Sequence, residues 1–247
     1  MRLNRPRLMA AIALMALAGC GRPNPPPGDL PRQTARPTFG QGETLPEARG
    51  LIDAAMHDGT LRDAARAGDD LMQCRAELRA ARVTFTPELD RVNSETCGLT
   101  DAGLLGPDMG TVARMTPSGS VMTCRLALAV SIWRRQSVEP AAREILGSDV
   151  VQIDHFGTYA CRSVSNRPGA RPSAHSRAAA LDFGGVQLRD GRRITVAGDW
   201  RGDGPEARFL RQIRDDACRI FGTALSPDYD ANHQDHLHLE PGQAFCR

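Results

Sequence analysis

Asn232-His233-Gln234-Asp235-His236-Leu237-His238-Leu239-Glu240 places three of the chain's six histidines within six residues. Read as a strand over 235–239, the stretch alternates: His236 and His238 point to one face, Leu237 and Leu239 to the other. A fourth histidine, His175, stands seven residues before Asp182. That segment alternates too, with Ala180 and Asp182 on one face and Leu181 and Phe183 on the other. Two half-buried strands would thus each present polar ligands on one side and core residues on the other. His175, Asp182 and His238 make a His, Asp, His set, the donors of an open zinc site whose fourth position is left to water. An isolated histidine is more often a surface or core residue, and a histidine-rich tract can bind metal adventitiously. The period-two placement, and an aspartate at a fixed offset from a distant histidine, separate this pattern from both.

Working outward, the chain reads as helices first and strands later. Alanines and charges recur at helical spacing over 61–82. Val83-Thr84-Phe85 predicts a short strand stopped by Pro87, and the polar stretch 88–100 a loop. Val121, Cys124, Leu128 and Ile132 mark a helix over 121–136, capped by Ser118 or Ser120. Pro140 opens a second short helix that Gly147 ends. Strands follow at 150–153 and 157–162, then a loop over 166–172 leads into the His175 segment. Strands at 179–188 and 193–196 flank Arg189-Asp190-Gly191-Arg192, a hairpin signal. A helix over 206–221 carries Leu210, Ile213, Ala217 and Ile220 in one stripe, and the histidine strand closes the order. The expected fold is α+β, a small antiparallel sheet flanked by helices.

The first residues read as targeting rather than fold. Arg2, Arg5 and Arg7 precede a short apolar run from Leu8 to Leu17, too short to span a bilayer. Leu17-Ala18-Gly19-Cys20 resembles a bacterial lipobox, which implies cleavage before Cys20 and its lipidation. Residues 1–19 are then a lipoprotein signal peptide, 20–45 a Pro-rich tether and 46–247 one domain. Gly21 after Cys20 points to the outer membrane. The lipid would tether a periplasmic protein to the membrane.

Beyond Cys20 there are six cysteines, Cys74, Cys97, Cys124, Cys161, Cys218 and Cys246. An even count in an exported domain implies up to three disulfides, with fifteen pairings open. All 31 basic residues are arginine, yet the net charge is only +2, and aromatic residues make up 4%. Neither a general nucleic-acid surface nor a base-stacking platform is implied.

Ser173-x-His175-x-x-Ala178-x-Ala180-x-Asp182 resembles the S-x-H-x-x-G-x-A-x-D pattern of bacterial D-Ala-D-Ala carboxypeptidases and dipeptidases. His233-x-x-His236-x-His238 resembles the H-x-H motif of the zinc peptidase group that holds lysostaphin-type enzymes, murein endopeptidases and Hedgehog domains. From about Cys74 onward the chain is most similar to the bacterial extensin-like C-terminal domain family. The residues that carry this are Cys97-Gly98, Cys124, Tyr159-Ala160-Cys161-Arg162, Asp190-Gly191-Arg192, Asp199-Trp200, Phe209-Leu210-Arg211 and Asp228-Tyr229. Ala178 stands where the pattern has Gly, at a turn that favours positive φ.

The resemblance implies a Hedgehog-like or D-Ala-D-Ala peptidase-like fold around one Zn²⁺, which would activate a bound water and polarise a scissile carbonyl. His236 is the expected general base, with Asp235, three residues before the last ligand, as the alternative. Arg162 is placed to clamp a substrate carboxylate, and Ser173 and His233 to line the cleft. Asp199-Trp200 is a further candidate for the lining. The implied function is a zinc-dependent carboxypeptidase or endopeptidase acting on peptidoglycan stem peptides or cross-links. One alternative is a zinc-containing module that binds cell wall or an envelope protein without catalysis, since a scaffold does not fix its function. Another is an amidase or esterase on a different envelope substrate.

Overall fold

The computed structural model describes residues 50–247. The expected signal peptide at 1–19, the expected lipidation site Cys20 and the expected tether at 20–45 lie outside the described residues.

The first helical stretch is two helices, α1 (Thr60–Asp69) and α2 (Leu71–Ala80), rather than one. Asp70 takes extended dihedrals between them, and its carboxylate accepts from the Met72 and Gln73 amides at 2.9 and 3.0 Å. A short carboxylate that satisfies two orphan amides starts a new helix more readily than it continues an old one. The chain then enters β1 (Val83–Pro87). The expected loop at 88–100 carries a two-residue ladder, β2 (Arg91–Val92) with β3 (Gly98–Leu99).

β4 (Ala102–Asp108) lies between β1 and β6 (Val121–Thr123) in a three-stranded antiparallel sheet. Its Gly-Leu-Leu-Gly-Pro sequence is rich in turn-forming residues, two of which have a specific place. A Cβ on Gly103 would stand 2.5 Å from the Thr86 carbonyl oxygen. Pro107 lies beyond the residues that pair with β6, so its missing N–H costs no ladder bond there.

Residues 121–123, expected as the start of a helix, are the strand β6. The helix α3 (Cys124–Trp133) begins one turn later, capped by Thr123 Oγ1, which accepts from the Leu126 amide at 3.2 Å, and not by Ser118 or Ser120. Nine of its ten residues are buried, so it is the central helix of the domain rather than a half-exposed one. It does not stop before Pro140. It runs on through a π-helical turn (Arg134–Val138), α4 (Glu139–Ala141) and a second π-helical turn (Ala142–Leu146), ending at Gly147 with φ +68°. Pro140 lacks an amide and would press on the carbonyl four residues back. The wider turn, in which the Glu139 amide donates to the Arg134 carbonyl, relieves both problems.

The main sheet has seven strands. β5 (Arg114–Thr116) lies parallel to β7 (Val150–His155) at one edge. β7 pairs with β8 (Leu181–Leu188), which also pairs with the hairpin strand β9 (Arg193–Thr195). β11 (Leu237–Pro241) lies antiparallel to β8 and to β10 (Gly222–Leu225). β12 (Phe245–Cys246) closes the other edge, parallel to β10. α5 (Val196–Asp199) and α6 (Pro205–Cys218) lie between β9 and β10. The class is α+β as expected. Val196, expected to end β9, begins α5 because Thr195 Oγ1 caps the Gly198 amide at 3.1 Å.

One face of this sheet meets α3 and α6. Leu181, Phe183, Leu237 and Leu239 are fully buried there, as their alternation requires. Trp133 packs edge-on against Phe183 and Phe221, with centroids 5.2 and 6.2 Å apart, and its indole N–H donates to the Ile213 carbonyl at 2.8 Å. Three disulfides tie the periphery: Cys74–Cys124 joins α2 to α3, Cys97–Cys161 holds the loop that enters the site, and Cys218–Cys246 pins β12 to α6. Their loops of 28 to 64 residues correspond to about 3.5–4.5 kcal/mol each in the loop-closure account.

Residues 157–162, expected as a strand, form an irregular crossing. Their polar groups are used elsewhere: Ala160 N donates to the His175 carbonyl at 3.0 Å, and Thr158 Oγ1 to the Val121 carbonyl at 2.6 Å.

Candidate metal centre

His175 sits in a 3₁₀ turn, Ala174–Arg177, that Ser173 caps through its hydroxyl oxygen. The turn closes at Ala178, whose φ of +53° is left-handed and whose amide donates to the His175 carbonyl at 3.1 Å. This is the position where the resembling pattern has glycine. The alanine accepts a backbone cost of about 1–2 kcal/mol, while its methyl is fully buried beside Leu99 and Ala102.

β8 delivers Asp182 and β11 delivers His238, directly opposite each other in the antiparallel register. The three side chains converge. His175 Nε2 lies 3.0 Å from Asp182 Oδ1 and 3.2 Å from His238 Nδ1, and that Nδ1 lies 3.0 Å from the same carboxylate oxygen.

The proton positions follow from what faces the far side of each ring. His175 Nδ1 faces the Thr158 carbonyl at 3.2 Å, and His238 Nε2 faces the Glu240 carboxylate at 3.3 Å. Both partners only accept, so those nitrogens carry the hydrogens and donate. Nε2 of His175 and Nδ1 of His238 are left as lone pairs, turned toward a carboxylate oxygen. Three acceptors packed at such distances repel one another unless positive charge lies among them. A tetrahedral zinc with ligands at about 2.0–2.1 Å sets them about 3.3–3.4 Å apart, within a few tenths of an ångström of this triangle. The donor set, its spacing and its orienting hydrogen bonds all fit zinc.

The charge balance shows the same demand. Burial disfavours the charged form of His238, but hydrogen bonds to Asp182 and Glu240 outweigh it, and the pKa is pushed up to about 9. In that metal-free state burial likewise opposes the Asp182 carboxylate, yet its contacts with the His175 and His238 rings hold it well below the usual carboxylate range. Without a cation, a proton on His238 supplies the missing charge.

His236 lies one residue before β11, with Nε2 3.5 Å from Asp182 Oδ1 and Nδ1 2.8 Å from Asp235 Oδ1. Asp235, weighed as an alternative base, is mostly exposed and holds the His236 ring. His233 is fixed by Asp230 at 2.6 Å, and burial pulls its pKa below the ordinary histidine value. A cleft of about 580 Å³ opens beside the triad, and Arg162, Ser173, His233, His236 and His238 all line it. Ser173 is nonetheless buried, and its hydroxyl caps the His175 turn.

Other candidates lie elsewhere. Asp199 accepts from the Thr195 amide at 2.7 Å, and Trp200 is buried with its indole N–H on Asp228 at 3.0 Å. Neither lines the cleft. His155 is buried against the Pro117 carbonyl at 2.9 Å, outside the triad.

Two residues of the site escaped the sequence reading. Glu240 continues the period-two face of His236 and His238, a signal the alternation already contained. Thr158 contributes only a backbone carbonyl from an irregular segment, and no side-chain pattern marks it.

Among known proteins, no curated protein and no solved structure matches the chain. One family model does, over residues 72–247, described as extensin-like protein C-terminus.

Proposed function

We propose that this chain, which belongs to the extensin-like protein C-terminus family, is a zinc-dependent peptidase of the bacterial cell envelope that hydrolyses peptidoglycan stem peptides or their cross-links. The observation that carries the reading is the convergence of three acceptor atoms from His175, Asp182 and His238 within 3.0–3.2 Å, with the far ring nitrogens committed to Thr158 and Glu240. The kinship to D-Ala-D-Ala peptidases and the H-x-H zinc peptidases belongs to the same proposal, resting on the motif residues.

His175, Asp182 and His238 would hold the ion, which when bound supplies an acidified water and a Lewis acid for the scissile carbonyl. His236 presents Nε2 on the cleft side while Asp235 holds Nδ1, the arrangement of an oriented base that takes the proton of the attacking water and returns it to the leaving amine. Arg162 lines the same cleft and offers a planar guanidinium to a substrate carboxylate. Three disulfides suit an oxidising compartment. The leader and the Cys20 lipid anchor, which lie outside the described residues, supply the outer-membrane location within the periplasm.

The test is mass spectrometry of purified peptidoglycan fragments incubated with the zinc-loaded protein, with and without chelator. New peptide termini that vanish with chelator support the reading. Binding of the fragments without any product favours the non-catalytic wall-binding module.

A further inference from the structure

Among the described residues, three aromatic side chains are exposed, Phe156 at 63%, Tyr229 at 43% and Phe245 at 42%, and all border the histidine cluster. Phe156 stands edge-on to His236 with centroids 6.1 Å apart. Tyr229 and Phe245 line the cleft and meet each other edge-on at 5.7 Å. Tyr229 in turn lies 5.6 Å from His233, whose ring is 6.0 Å from that of the ligand His238. The other described aromatic residues are buried or half-buried. In a chain with so few aromatic residues, grouping the exposed ones around one histidine cluster is not what core packing requires.

The pair is also held rigidly. Phe245 lies on β12, which pairs with β10, and the adjacent Cys246 is bonded to Cys218 of α6. The Arg247 guanidinium sits 5.5 Å from the Phe245 ring centroid, a cation–π contact that supports one face of the ring. Tyr229 is fixed by its amide, which donates to the Ser226 carbonyl at 2.9 Å. Rings set in advance on a braced backbone lose little freedom when a ligand stacks on them. The same cleft is lined by Arg162, Arg167 and Arg171, none of which pairs with a carboxylate among the described residues. A ligand that fits these residues therefore offers a CH-rich ring face to the aromatic pair and negative charge to the arginines.

We infer that Tyr229 and Phe245 form a stacking platform for an amino-sugar ring, so that the protein takes peptide still attached to its glycan rather than free peptide. The inference rests on the cell-wall reading of the site and narrows its substrate. A pyranose ring presents axial C–H bonds to an aromatic face, and its hydroxyl and acetamido groups suit the polar rim. The charged peptide attached to the sugar would then run past His233 toward His236 and the arginine wall.

The experiment is equilibrium binding of two probes to the zinc-loaded protein: a soluble N-acetylated amino-sugar tetramer, and a stem peptide without sugar. Tyr229→Ala and Phe245→Ala should each weaken the tetramer by about three- to tenfold, leaving peptide affinity and zinc content unchanged. Tyr229→Phe should retain tetramer binding because the ring remains. Failure of the tetramer to bind, or equal binding by both alanine variants, overturns the inference. So does an equal loss of sugar-free peptide affinity, which would make the platform a seat for a peptide side chain. Cleavage of the peptide without tetramer binding would reject the platform and leave the peptidase reading standing. Platform-dependent tetramer binding without cleavage would do the reverse.

Discussion

Asp182 and His238 are direct cross-strand neighbours, paired in the register of β8 and β11, with the carboxylate oxygen 3.0 Å from His238 Nδ1. Strand alternation then decides everything around them. The residues on either side, Leu181, Phe183, Leu237 and Leu239, point into the core and lock the register, since a slip of one residue would turn Asp182 and His238 into the core and expose the leucines. The fit of the sheet to its helices thus sets the position of two of the proposed ligands. The capped turn at Ser173 sets the third.

Glu240 fixes the tautomer of His238 from the same strand face. Glu240→Gln should keep the fold and lower zinc affinity by about 10–100-fold, read by competition with a chromogenic chelator. Unchanged affinity would mean that Glu240 does not orient the ring.

Metal-free protein should lose stability as pH rises. His238 has a folded pKa of about 9, above the value near 6.5 in an unfolded chain. The folded state holds the extra proton between those values, so this contribution is complete below about pH 6.5 and gone above about pH 9. The lowered pKa of Asp182 works at the other end, and its contribution is lost as the carboxylate is protonated in acid. Urea midpoints across pH 6 to 10 should therefore fall without zinc and flatten with zinc bound, because the ion replaces the proton. A rise in the metal-free midpoint across that window would contradict the charge assignment.

His236 and Asp235 should separate from the ligands by their effects. His236→Ala should keep the bound zinc while peptide hydrolysis slows by about 10²–10⁴-fold. Asp235→Asn should slow it less, since that carboxylate orients the base. Zinc content by elemental analysis and kcat on a defined peptide distinguish the cases. Loss of zinc in His236→Ala would make His236 a ligand.

What the sequence made legible follows from where the physics is local. The alternation of His236 to Leu239 and of Ala180 to Phe183 assigned faces correctly, because burial on one side of a strand leaves a period of two. The hairpin at Asp190-Gly191 and the helix carrying Leu210 and Ile213 were legible for the same reason. β4 was not, because Gly103 answers to the Thr86 carbonyl and Pro107 to where the pairing with β6 ends. The start of α3 differs from the expectation because Val121 fits a helical stripe, while the strand partner that claims it, Leu104, lies in a segment whose glycines and proline carry no strand signal. The 157–162 crossing reads as a strand because nothing local shows that its Thr158 carbonyl and Ala160 amide serve His175.

Removing the Cys97–Cys161 disulfide should disturb the proposed metal site as well as the fold. Cys161 closes the segment whose Thr158 carbonyl orients His175. The paired Cys97→Ser, Cys161→Ser variant should lose about 2–5 kcal/mol of stability and bind zinc more weakly at temperatures where it remains folded. Thiol titration of the denatured, unreduced mature protein should find no free cysteine among the six. Full zinc affinity in the double variant would show that the loop holds its course without the bridge.

The most direct test of the metal centre is elemental analysis of the purified protein beside its Asp182→Asn variant, each dialysed after zinc is supplied. The account predicts about one zinc per chain in the native protein and a large loss in the variant, whose amide cannot provide the anionic oxygen. A native protein that retains no transition metal after dialysis would contradict it.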